Sequence, residues 1–129
     1  MTDISKLREL LERVESATKE TLPDKKLTFD LIACFVPAIV DYPHHADTFF
    51  GDDPLISIDA AVALCERVLP GWEIRIGELP DKVGWFARVL RRKDMFLVSS
   101  RDCGPKHVGI ALCAVVLRAK IAILEKEPA

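Results

Sequence analysis

No apolar run in this chain reaches the ~20 residues that a membrane-spanning helix needs. The longest, Val108-Gly-Ile-Ala-Leu-Cys-Ala-Val-Val-Leu117, is ten residues, and Arg118 and Lys120 follow it directly. The first residues, Met-Thr-Asp-Ile-Ser-Lys, hold no apolar signal-peptide core. Neither charge sign dominates. Eighteen Lys and Arg against 20 Asp and Glu leave a net charge of −2, which gives no electrostatic argument for nucleic acid or an anionic membrane. The cysteines, Cys34, Cys65, Cys103 and Cys113, form no C-x-x-C pair, and three sit in apolar sequence. They read as reduced, buried thiols of a cytoplasmic protein. The glycines match no phosphate-loop pattern, and no H-E-x-x-H spacing, internal repeat or low-complexity segment is present.

What is present is a single domain over 1–129, half of it apolar and therefore able to bury a core. Thr2 or Asp3 can cap a first helix running to about Thr18, with Ile4, Leu7, Leu10, Leu11 and Val14 on one stripe. Glu9 and Arg13 are spaced for an ion pair on its other face. Thr21 to Lys26 reads as a polar connector, and a second helix is expected from Thr28, with Asp30 in its first turn and Pro37 stopping or kinking it. Asp41 to Leu55 is the longest loop, with Phe49 and Phe50 as its anchors. Ser57 caps a third helix whose buried stripe is Ile58, Ala61, Leu64, Cys65 and Val68, ended by Pro70-Gly71.

From Trp72 to Glu78 the sequence alternates, putting Trp72, Ile74 and Ile76 on one face and Glu73 and Arg75 on the other. Pro80 to Gly84 is the turn of a hairpin, and Trp85 to Leu90 its return strand. Ala87 and Val89 face the core, and Arg88 is expected to meet Glu73 across the strands. After a turn at Arg91 to Asp94, Met95 to Val98 is a third strand. The second and third strands are apolar on both faces, which implies helices on both sides of the sheet. The last helix, Val108 to Leu124, is apolar nearly all round, as a central buried helix is. The expected fold is α+β: a three-stranded antiparallel meander in a helix/sheet/helix sandwich, in the order α-α-α-β-β-β-α.

Several strings, in this order, resemble the phage ABA sandwich domain, a family of small, mostly uncharacterised bacteriophage and prophage proteins. They are Leu10-Leu-Glu-Arg-Val-Glu-Ser-Ala-Thr18, then Ser57-Ile-Asp-Ala-Ala-Val-Ala-Leu64 followed by Leu69-Pro-Gly-Trp72, and Ile110-Ala-Leu-Cys-Ala-Val-Val-Leu-Arg-Ala119. They touch both ends and the middle of the chain. The family tends to open its last helix with a Thr-Pro pair, where this chain has His107-Val108 and a proline upstream at Pro105. The resemblance implies a helix/sheet/helix sandwich and a mobile-element origin, and brings no catalytic residues.

Three constellations carry candidate chemistry. His44, His45 and Asp47, with Asp52 and Asp53, have the donor types of a transition-metal site, against a reading as a polar surface loop. Cys103 and His107, four apart, have the residue types of an activated thiolate, against a solvent-edge cysteine. Arg88, Arg91, Arg92 and Lys93 are the only basic concentration and can contact phosphate, against a solvated turn. Phe49 and Phe50, with the second face of the sheet, can form a protein-binding or dimer surface. The expectation is a non-enzymatic phage or prophage accessory protein acting through protein–protein contact, with Phe49, Phe50, Arg88, Arg91 and Arg92 as partner-binding candidates. Its partner is a bacterial host protein or a second copy, in the host cytoplasm, with no cofactor and no membrane. The alternatives are a metal-dependent enzyme using the His44/His45/Asp47 loop and a nucleic-acid binder using Arg88 and Arg91 to Lys93.

Overall fold

The structure is a computed structural model and describes residues 4–18, 20–36, 49–78, 85–99 and 108–126. In chain order these form α1 (Ile4–Ser16), α2 (Lys25–Phe35), α3 (Ile58–Val68), β1 (Glu73–Glu78), β2 (Trp85–Arg91), β3 (Phe96–Ser99) and α4 (Val108–Lys126). The strands form one antiparallel sheet in the order β1-β2-β3, so the fold is the α+β arrangement that the sequence implies.

The apolar run near the C-terminus becomes the centre of the molecule. Every residue of α4 from Val108 to Leu117 is buried, and so are Ala119 and Ile121. The helix packs against β2 and β3 on one side and against α1 and α3 on the other. Leu112, Leu117, Val115 and Val116 are fully enclosed, and each such side chain contributes about 1.5–3 kcal/mol over its exposed state. Leu7, Leu10 and Val14 of α1 and Ala61, Leu64 and Cys65 of α3 complete this core. Arg118 does not break it, because its guanidinium turns outward to Glu15 of α1, at 3.0 Å from Nε and 2.5 Å from Nη2.

Ser57 caps α3 as its sequence implies, its side chain accepting from the Ala60 N–H. At the other end Gly71 takes a φ of +83°, a conformation that suits a residue without Cβ, and lets the chain turn directly into β1. The second helix begins earlier than expected. Asp24 is its N-cap, accepting from the Leu27 N–H at 3.1 Å, so Thr28 and Asp30 lie inside the helix and not at its start. Thr28 is buried, with its hydroxyl 3.1 Å from both carboxylate oxygens of Asp53. Asp30 receives Arg13 of α1 at 2.8 Å, so Arg13 joins two helices instead of pairing with Glu9 along its own.

The helical cover of the sheet lies on one face among the described residues. Ile74, Ile76, Ala87, Val89 and Val98 point to α4 and pack into the core. The opposite face carries the exposed residues Arg75, Arg88 and Leu97. An apolar residue on an outer sheet face therefore does not require a covering helix here. Met95 belongs to the turn before β3 and not to the strand: its φ is +56°, and the residue is 63% exposed.

Candidate functional site

The hairpin register decides which side chains meet on the open face. Arg75 is directly opposite Arg88, Glu73 is opposite Leu90, and Gly77 is opposite Phe86. On the third strand Leu97 is opposite Leu90 and Ser99 is opposite Arg88. Directly opposed residues share a face. The face therefore runs from the Phe86–Gly77 pair, through the two arginines, to Glu73, Leu90 and Leu97.

Each element of this face has a physical reason for its position. Gly77 leaves room for the Phe86 ring: a Cβ at residue 77 would lie 2.6 Å from the ring's Cε1 and Cζ. The ring thus lies across the neighbouring strand, and the Arg88 guanidinium sits over it, 4.9 Å from its centroid. Glu73 does not bond Arg88 as expected, because the register places Leu90 opposite it; Arg92 reaches back to it instead, at 3.0 Å. The hydrogen bond from Arg92 holds the Glu73 carboxyl below its usual range, with the charges of Arg92 and Arg75 acting in the same direction. Leu97 is 54% exposed.

The basic concentration read from the sequence is divided by the strand's alternation. Arg88 points to the open face. Arg91 points to the other side, where its side chain is 14% exposed and lies 5.5 Å from the ring centroids of both Trp72 and Phe96. Its Nε and Nη2 donate to Asp94 at 3.1 and 2.8 Å. Lys126, at the end of α4, donates to the same carboxylate at 3.3 Å and sits over the Phe96 ring. The Arg91 bonds, with those from Lys126, hold the Asp94 carboxyl well below the ordinary range. This cluster ties the end of α4 to the sheet. Arg88 and Arg91 thus lie on opposite faces of the sheet.

The two phenylalanines also separate. Phe50 packs against the core beside Ile32 and Val36, and so anchors its segment. Phe49 meets it edge-to-face at 4.9 Å and remains 42% exposed, with the Arg67 guanidinium 5.9 Å from its ring centroid. Asp53 is buried and turned inward, where it accepts from Thr28 and from the Leu55 N–H, so its carboxylate serves the fold. His44, His45 and Asp47 lie outside the described residues, as do Cys103 and His107. Among the described residues no three His, Cys, Asp or Glu side chains gather as a metal site would require.

Burial raises the Cys65 thiol to about 12, and burial with the charge of Asp53 raises Cys113. Neither is a nucleophile at neutral pH. A groove of about 450 Å³ lies between α1 and the start of α2, with Glu9, Glu12, Arg13 and Asp24 on its walls. Arg13 and Asp24 are already engaged by Asp30 and the α2 N-terminus. No described helix is long and apolar enough to cross a membrane.

The residue that the sequence did not single out is Arg75. Its signal is a pairing: in a hairpin joining Glu78 to Trp85, residues 75 and 88 stand opposite each other. Comparison of the chain with family models, with curated proteins and with solved structures finds no match.

Proposed function

We propose that this chain is a non-enzymatic accessory protein of phage or prophage origin, acting by contact with a bacterial host protein in the host cytoplasm. The strings that resemble the phage ABA sandwich domain support the origin. The observation that carries the binding reading is the open sheet face, where Leu90 and Leu97 are paired beside two opposed arginines. Arginine is enriched in protein-binding surfaces and at their hot spots. The metal-enzyme alternative rests on His44, His45 and Asp47, outside the described residues. The nucleic-acid alternative loses Arg91 to Asp94 and Arg92 to Glu73.

The test is capture from bacterial lysate with tagged wild-type protein and with Leu97→Asp, with metal analysis of the same preparations. The expected result is a stoichiometric host protein on the wild type and its loss from a folded Leu97→Asp variant. No captured protein, together with a stoichiometric transition metal, would overturn this reading in favour of the metal enzyme.

A further inference from the structure

Arg75 and Arg88 are an unusual pair. Like charges directly opposite in an antiparallel pair destabilise a sheet, yet here they occupy the middle of β1 and β2. Neither has a salt bridge to a carboxylate among the described residues, and the nearest acidic side chain on their face, Glu73, is hydrogen-bonded by Arg92. Among the described residues, three arginines against one glutamate give this face a local charge of +2, on a chain whose net charge is −2. The positive charge is therefore concentrated here and is not a property of the whole surface.

We infer that the outer face of the sheet binds an acidic, extended segment of a partner protein, with Arg75 and Arg88 as paired cations and Leu90 and Leu97 as an apolar floor. The inference rests on the protein-binding reading and names the chemistry of the partner. A guanidinium stacked on an aromatic ring keeps its N–H edges free for a carboxylate, and Phe86 holds Arg88 in such a contact. In an extended chain, side chains two residues apart project to the same side at a separation of ~7 Å. Two long arginine side chains on neighbouring strands can each meet one of two such carboxylates. An apolar residue of the same segment would rest on Leu97. A second copy of this chain is a poor occupant, because its own face carries the same positive charge. Nucleic acid is disfavoured because, among the described residues, the one aromatic ring on the face already lies beneath Arg88 and is not free for base stacking.

The experiment is an NMR titration of isotope-labelled protein with a short peptide alternating Glu and Leu, and separately with oligothymidylate. Wild type is compared with Arg75→Glu/Arg88→Glu, and with Lys6→Glu/Lys26→Glu as a variant of equal charge change on exposed positions of α1 and α2. The peptide is expected to shift the amides of Arg75, Phe86, Arg88 and Leu97. Its affinity should fall roughly tenfold or more in the arginine variant, stay near wild type in the lysine variant, and weaken with salt. Equal binding by both variants, no binding by wild type, or tighter binding of oligothymidylate than of peptide would each overturn the inference. Lysate capture separates the two levels. A host protein retained by the arginine variant but lost with Leu97→Asp refutes the acidic segment and leaves the protein-binding reading standing. Absence of any captured protein, together with a stoichiometric transition metal and no peptide binding, removes both.

Discussion

Gly109, the second residue of α4, lies flush against the turn that precedes α3: a Cβ placed on it would fall 2.6 Å from the Pro54 carbonyl oxygen and 2.9 Å from the Leu55 backbone. The obstacle is main chain and cannot rotate away. One turn further along the helix, the Cys113 thiol reaches the same carbonyl at 3.5 Å. Gly109→Ala should therefore destabilise the protein by about 1–3 kcal/mol through overpacking, although alanine favours a helix by ~1 kcal/mol over glycine. Urea denaturation measures this. A stabilised Gly109→Ala protein would show that α4 does not approach the turn this closely.

The same turn is held from its other side by Thr28 and Asp53. The threonine hydroxyl lies 3.1 Å from the carboxylate oxygens, and the carboxylate also accepts from the Leu55 N–H at 3.0 Å. Removing one partner of a buried hydrogen bond costs more than removing both. Asp53→Ala should lower stability by about 2–3 kcal/mol and Thr28→Val by about 1–2 kcal/mol. The double variant should be about 1 kcal/mol more stable than their sum predicts. Strict additivity in a denaturation cycle would mean that the two side chains do not interact.

Thr28 also shows where the sequence stopped being readable. Followed by an apolar stretch and a nearby carboxylate, it looks like a helix cap; in the structure it faces Asp53, a residue 25 positions away. Only tertiary contact reveals that, while the true cap, Asp24, is hidden in a polar connector. Features fixed by local chemistry were legible: the Ser57 cap, the alternation of β1, and the all-round apolar α4. The open face was half legible. Alternation placed Arg88 on the same face as Glu73 and Arg75, away from the core, but a hairpin register was needed to set Arg75, and not Glu73, against Arg88. The division of Arg91 from Arg92 follows from the end of β2, a boundary that the sequence placed one residue early.

That register makes Arg88→Glu a stabilising substitution. It replaces an arginine–arginine pair with an opposite-charge pair at the same cross-strand position. The gain should be about 0.5–1 kcal/mol, larger at low than at high salt. Thermal unfolding at two salt concentrations checks both features. A destabilised Arg88→Glu would mean that the stacking of Arg88 on Phe86 outweighs the repulsion it carries.

Alkaline pH should weaken the fold through the buried thiols. Cys65 is raised from 9.0 to about 12 by burial, with Glu66 adding to the shift, and Cys113 is raised by burial and by Asp53. A thiol whose folded pKa exceeds its unfolded one keeps its proton in the folded chain while the unfolded chain releases it. Between the two values the unfolded state therefore binds fewer protons, and stability falls as pH rises. Stability should be independent of these groups below about pH 8 and decline from about pH 9 upward. Cys34, raised by its partial burial, acts in the same direction. Urea midpoints measured from pH 8 to pH 11 should show the decline, and Cys65→Ala should make it shallower. In the native protein at pH 8, Cys65 and Cys113 should react with a thiol reagent only as fast as the protein opens. Immediate modification of either without denaturant would contradict the burial of α3 and α4 against each other.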